Sequence, residues 1–382
     1  MNDSSSAPPP VSGAWREGDD PGRRQFLDLP TSVKLEAGGE LPEVRLAYET
    51  WGTLAPDGSN AVLVLHALTG DAHIEGPAGP GHPTAGWWPG LIGPGQPLDP
   101  ERWFVVAPNA IGACQGTTGP SSQAPDGRAW GSRFPLVTPR DTVAAETHLA
   151  DALGIDRWAC VVGGSMGAMR SLEWAATEPD RVARLFLLAG PAASSADQIG
   201  WANPQIEAIR SDPHWHGGDF YDRAEGPHRG LGVARRIAHL SYRSGYELAT
   251  RFGRRPQGDE DPFDGGRYAV ESYLDHHADK LVRRFDAGSY VRLTQLMNAH
   301  DVGRDRGGVA AGLARVRARS LVAGVTSDRL YPLSEQRELI ELLPNACELA
   351  VIDSPYGHDG FLIETARVAA LLGELLTQDA PG

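Results

Sequence analysis

Cysteine is scarce: Cys114, Cys160 and Cys347 are the only three in 382 residues, and they lie far apart. A small, odd number excludes a disulfide-stapled scaffold and implies a reducing, cytoplasmic setting. Cys160 sits in the apolar run WACVV, which predicts core packing. Cys114 sits in a glycine-rich loop, where a buried structural thiol is the expectation. No run of 18 or more apolar residues occurs, so no transmembrane helix is expected. Positive charge is also short, with 35 Lys and Arg against 49 Asp and Glu for a net charge of −14. That balance opposes binding to nucleic acid or anionic membrane, which needs a basic face. It leaves open a local arginine cluster that holds a small anion. The opening MNDSSSAPPPVSGAWREGDD has no basic stretch followed by an apolar run, so no secretory signal is expected. Its polar, Pro/Ser-rich composition predicts a disordered tail over residues 1–24.

Hydrophobic residues make up 41% of the chain, enough for a large core. Short apolar runs at 61–67, 103–109, 158–164, 184–190, 320–326 and 348–353 lack strict alternation, the pattern of strands covered on both faces. Helical patterns separate them, including AMRSLEWAATEPDRV after Ser165 and the amphipathic FLIETARVAALLGELL near the end. Alternating strand and helix predicts an α/β fold with a mostly parallel sheet. Between 191 and 316 strand-like runs give way to helical segments, which predicts a helical insertion, a lid, between core pieces 25–190 and 317–382. No internal repeat is present.

Gly163-Gly164-Ser165-Met166-Gly167 is a G-x-S-x-G sequence. Short in itself, it gains meaning from context, because it follows an apolar strand and opens a helix. A serine on such a turn is lifted to the carboxyl edge of the sheet, and the flanking glycines avoid collisions with strand and helix. Serine needs a base to become a nucleophile. In this arrangement the partners follow in the order Ser, acid, His. Asp328 closes SLVAGVTSD after one predicted strand, and His358 lies in IDSPYGHDGF after the last, so all three are expected at one edge. The oxyanion donors are expected to be the backbone N–H groups of Met166 and of Leu68, in the loop His66–Gly70. His66 is expected to shape that loop. Adjacent histidines such as His276 and His277 point apart on a helix, so no metal is expected. Trp87 and Trp88 are expected to pack a loop.

YETWGTL (48–54), NAVLVLHALTGDAH (60–73), GWWPGLIGPG (86–95), GACQGTTGPSS (112–122), VVGGSMGAMRSLEWA (161–175), VESYLDHHADKLVRRFDAGSYVRLT (270–294) and DSPYGHDGFL (353–362) together resemble the homoserine O-acetyltransferases, from about residue 25 onward. The resemblance implies an α/β-hydrolase core with a helical lid over a deep tunnel. It implies a cytoplasmic homodimer, paired through the lid, that uses acetyl-CoA as co-substrate and L-homoserine as acceptor, on the way to methionine. It places the triad on Ser165, Asp328 and His358, and the homoserine anchors on Arg235, Tyr242 and Asp359. Arg235 suits the acceptor carboxylate and Asp359 its ammonium. Homoserine O-succinyltransferases, serine O-acetyltransferases and esterases share nearly the same core motifs and stand as alternatives.

Overall fold

The computed structural model describes residues 8–378. Among these described residues ten strands form: β1 (Gln25–Asp28), β2 (Val33–Lys34), β3 (Glu40–Leu41), β4 (Arg45–Trp51), β5 (Ala61–Leu65), β6 (Phe104–Pro108), β7 (Cys160–Gly164), β8 (Arg184–Leu188), β9 (Arg319–Val325) and β10 (Ala350–Ile352). Each of the six apolar runs becomes a strand, β5 to β10. All but β2 and β3 share one sheet in the order β1-β4-β6-β5-β7-β8-β9-β10. From β6 across to β10 the pairing is parallel, with Val62 opposite Cys160, Val161 opposite Leu185 and Ala350 opposite Ala323. β1 and β4 are antiparallel additions at the other edge.

Alternate residues of each strand bury opposite faces. Leu63, Leu65, Val161 and Leu187 pack with Leu149 and Leu172, which belong to α1 (Pro139–Ala152) and α2 (Met166–Thr177). Val62, Val64, Val162 and Leu188 face the other way, onto Val368, Leu371 and Leu372 near the end of the chain. Sheet faces covered on both sides need no polar alternation, so the runs read as continuously apolar.

Six helices lie between β8 and β9: α3 (Ala196–Arg210), α4 (His228–Tyr242), α5 (Gly245–Phe252), α6 (Ala269–Val282), α7 (Ala287–Asn298) and α8 (Val309–Leu313). α4 packs against α3 and α6. After β9 come α9 (Leu333–Leu342), and after β10 α10 (Gly360–Ile363) and α11 (Thr365–Thr377). The single helix expected over FLIETARVAALLGELL breaks at Glu364, whose φ of −82° and ψ of 47° are not helical.

The expected tail over 1–24 is corrected where it is described. Residues 1–7 lie outside the described residues. Gly13 N–H donates to the Phe285 carbonyl at 3.2 Å and Trp15 N–H to the Cys114 carbonyl at 2.9 Å. Ser12 donates to Asp286 at 2.7 Å, and Arg24 reaches Gln115 at 2.9 Å. A polar segment docks here because its partners are polar groups buried elsewhere, which composition alone does not reveal.

Candidate active site

The turn from β7 into α2 carries Ser165 at φ 58° and ψ −123°, a conformation that costs a non-glycine residue about 1–3 kcal/mol. Its neighbours hold it there. The Ser165 N–H donates to the Leu188 carbonyl of β8 at 2.9 Å. A Cβ at Gly164 would lie 2.4 Å from the Phe361 ring, and one at Gly167 only 2.1 Å from the Leu65 carbonyl oxygen. The missing side chains let the end of β5 press against the start of α2, so the His66–Gly70 loop lies beside Met166.

Asp328 and His358 leave neighbouring parallel strands, β9 and β10, at the same edge as Ser165. Their loops are laced together: Ser327 donates to the Ser354 carbonyl at 2.6 Å and accepts from the Gly357 N–H at 2.8 Å. Gly357 has φ 66°, and a Cβ there would sit 2.3 Å from the Tyr242 carbonyl oxygen, so the end of α4 seats directly on the histidine turn. His358 Nδ1 meets Asp328 Oδ2 at 2.7 Å. The other carboxylate oxygen accepts from the Leu330 and Tyr331 N–H groups at 2.9 and 3.0 Å. Burial works to lower the His358 pKa, but the charge and hydrogen bond of Asp328, aided by Asp359, leave it raised above the ordinary value. The paired imidazole thus holds a proton more readily than an isolated one, as a general base must.

Ser165, Asp328 and His358 are all buried, at 5%, 5% and 4% exposure. Tyr331, absent from the sequence-based expectations, joins them. Its ring centroid lies 5.0 Å from that of His358, and burial holds its pKa well above the ordinary value. Phe361 packs on the other side of the imidazole at 5.3 Å. His66 serves its loop: Nδ1 faces the Ala67 carbonyl at 2.8 Å and Nε2 accepts the Ala110 N–H at 3.0 Å. Burial, with Arg170 nearby, lowers its pKa to about 3, so it stays neutral. Among the described residues, no protein acceptor takes the N–H of Leu68 or of Met166.

The helical insertion supplies charge to this edge. Arg235 of α4 stacks over Tyr242 at 5.9 Å and donates from Nη1 to the Thr69 hydroxyl at 3.4 Å. Its Nε is buried with no partner among the described residues. Tyr242 lies 5.8 Å from the His358 ring, and burial pushes its pKa up to about 12. Asp359 is brought to the same place but is not free: Arg243 Nε stands 3.2 Å from its Oδ2. Burial raises the Asp359 pKa, against the pull of Arg243, His358 and Arg235. Arg243 directly follows Tyr242 in the chain, the one signal that marked it.

Other clusters do different work. Glu49, His73 and His82 place three buried ligand-type atoms within 4.8 Å of one another. The two imidazoles are stacked face to face at 3.8 Å, however, and His82 Nε2 already accepts the Arg23 N–H at 2.9 Å. Glu49 meets His73 Nδ1 at 3.2 Å and Arg23 Nε at 3.6 Å. His277 packs on His239 at 4.1 Å. A cleft of about 1290 Å³ between the N-terminal segment and residues 121–129 is lined by none of Ser165, Asp328 and His358. Three of its arginines are paired, Arg45 with Glu17 and Asp28, and Arg128 and Arg133 with Asp126.

A strand-to-helix serine, a histidine after the last strand and an aspartate bound to that histidine are the parts from which a hydrolase-type acyl-transfer site is built. The chain belongs to the α/β-hydrolase family, whose fold model matches residues 60–365. Within it, the chain belongs to the homoserine O-acetyltransferases. It is 65% identical over 379 residues to the homoserine O-acetyltransferase of Thermobifida fusca, covering 99% of this chain and 100% of that one. A crystal structure of homoserine O-acetyltransferase from Bacillus anthracis superposes with a TM-score of 0.85 at 25% identity, over 94% of this chain and 98% of that one. An acetylester hydrolase from Corynebacterium glutamicum superposes with a TM-score of 0.81 at 28% identity, over 94% and 97%.

Proposed function

We propose that the protein transfers an acetyl group from acetyl-CoA to the side-chain hydroxyl of L-homoserine through an acetyl-Ser165 intermediate. The observation that carries this reading is the pairing of the serine elbow with two opposite charges, Arg235 and Asp359, where the insertion meets the triad edge. His358 takes the Ser165 proton, Asp328 steadies the resulting imidazolium, and the Leu68 and Met166 N–H groups receive the oxyanion. Coenzyme A leaves as the thiol. The acceptor then binds with its carboxylate on Arg235 beside Tyr242, its ammonium on Asp359 and its hydroxyl facing the acyl carbon. His358 removes the hydroxyl proton and returns it to Ser165.

Water attacks the same intermediate in an esterase. An oriented hydroxyl gains an effective molarity of about 10⁵ M or more, so clamping the acceptor favours transfer. The helices of the insertion act as a lid that keeps water out. No cofactor is required beyond the thioester. Exposed Phe263 (94%) and Tyr246 (72%) on the insertion support pairing of two copies through it. Two of the three free thiols are buried, which fits a cytoplasmic setting, and no helix among the described residues is long and apolar enough to cross a membrane.

Mixing enzyme with acetyl-CoA alone tests the scheme. The expected result is a stoichiometric burst of free thiol and the mass of one acetyl group on Ser165. Thiol release only when homoserine is also present would refute it. Succinyl-CoA as donor and serine as acceptor are the controls. Arg235→Ala is expected to raise the homoserine KM by roughly 10- to 100-fold, the loss of a charge-assisted contact, with the burst intact. Equal loss in both half-reactions would count against Arg235 as the acceptor anchor.

A further inference from the structure

Arg284 lies between α6 and α7, outside every role assigned above. Its backbone is pinned on three sides. The Arg284 N–H donates to the Leu281 carbonyl at 3.0 Å, and its carbonyl accepts from Gln115 Nε2 at 3.0 Å. The Gly13 backbone presses on it so closely that a Cβ there would lie 2.5 Å from the Arg284 carbonyl carbon. From this anchor the half-buried side chain donates from Nη1 to the Thr69 carbonyl at 2.9 Å.

Among the described residues, no carboxylate lies within ion-pair distance of Arg284, and none lies there for Arg235. Burial lowers the Arg284 pKa, and the Arg235 charge adds to that, with Asp71 opposing from further off. A guanidinium taken from water without an anionic partner is unfavourable unless its position serves something else. The acceptor it does have is informative. Thr69 follows Leu68, and the turn is closed by the Gly70 N–H on the Ala67 carbonyl at 2.9 Å. The Thr69 hydroxyl meets Arg235 while its carbonyl meets Arg284, so two cations hold one residue of the turn.

We propose that Arg284 is a positioning residue for acyl transfer: by holding the Thr69 carbonyl it fixes the rotation of the 66–70 turn and so aims the Leu68 N–H at the developing oxyanion. The proposal rests on the reading of Leu68 as an oxyanion donor. Because each half-reaction passes through an oxyanion at that place, both depend on Arg284, whereas acceptor binding does not.

The test compares Arg284→Met and Arg284→Lys with the wild type in the thiol burst with acetyl-CoA and in homoserine-dependent turnover. Arg284→Met is expected to slow acetylation and deacetylation by a common factor of about 10- to 100-fold, with the homoserine KM within about threefold. Arg284→Lys keeps the charge but not the fork, and recovers only part of the rate. Guanidinium ion added to Arg284→Ala restores rate in a saturable way, which a merely structural role would not produce. A raised homoserine KM with an unchanged burst overturns the proposal, as does the absence of rescue. The underlying reading is checked separately by replacing Leu68 with its α-hydroxy acid, which removes the N–H alone. Full speed in that ester variant sinks Leu68 as a donor. A slow ester variant beside an unaffected Arg284→Met sinks only the bracing.

Discussion

Gly167→Ala isolates the close approach of β5 to α2. A Cβ at residue 167 would stand 2.1 Å from the Leu65 carbonyl oxygen and 3.2 Å from that of His66. Folded proteins do not hold a carbon nearer than about 3 Å to such an oxygen, so strand end and helix start must part by close to 1 Å. Overpacking of this kind destabilises by about 1–3 kcal/mol, and the fold survives it if the margin is typical. Catalysis is expected to suffer more, because the separation falls between the Leu68 and Met166 N–H groups proposed as the oxyanion donors. A misplacement of about 1 Å lowers a rate by roughly 10²-fold. The assay is the single-turnover thiol burst with acetyl-CoA, alongside a thermal melt. A burst within about threefold of wild type in a folded Gly167→Ala protein would refute the idea that this contact sets the oxyanion geometry.

Three further outcomes are expected. Asp328→Asn removes the charge that raises the His358 pKa, so the rate falls by about 10⁴-fold and the acid limb of its pH profile moves to lower pH; an unmoved limb contradicts the assigned pair. In the wild type that limb lies above the ordinary histidine value of about 6.5, since His358 must be neutral to act as base. Glu335, held by Gln198 of α3, has its pKa raised by burial, and further by Asp328, Glu338 and Asp197, to about 7. A carboxyl raised above its ordinary value contributes stability below that value and loses it as pH rises through about 7, so Glu335→Gln melts above wild type near pH 8 and the gap closes near pH 5; a pH-independent gap would refute this.

The strands were legible because apolar runs of five or so residues cannot be satisfied outside a covered sheet. The shared edge of Ser165, Asp328 and His358 was legible because parallel strands bring their carboxyl ends together, so Asp328 and His358 could be placed from chain order alone. The position of the 66–70 turn beside Met166 followed from its place after β5. Less was visible where partners are distant and unpatterned. Arg243 on Asp359 spans 116 residues, and nothing local in either segment announces the pair. Nothing in the sequence singled out Tyr331, which the fold lays on His358. The N-terminal segment read as tail because its buried partners, Asp286 and Cys114, are contributed by other parts of the chain.

That segment has a practical consequence. Asp286 is fully buried and depends on Ser12, Tyr221 and the Ser289 N–H for its hydrogen bonds. Residues 12–15 thus act as a thread sewn first through the insertion, at Asp286 and Phe285, and then through the core, at Cys114. Trimming the protein at residue 25, a natural choice from the order of the motifs, would unpick that seam and strip one partner from an interior carboxylate.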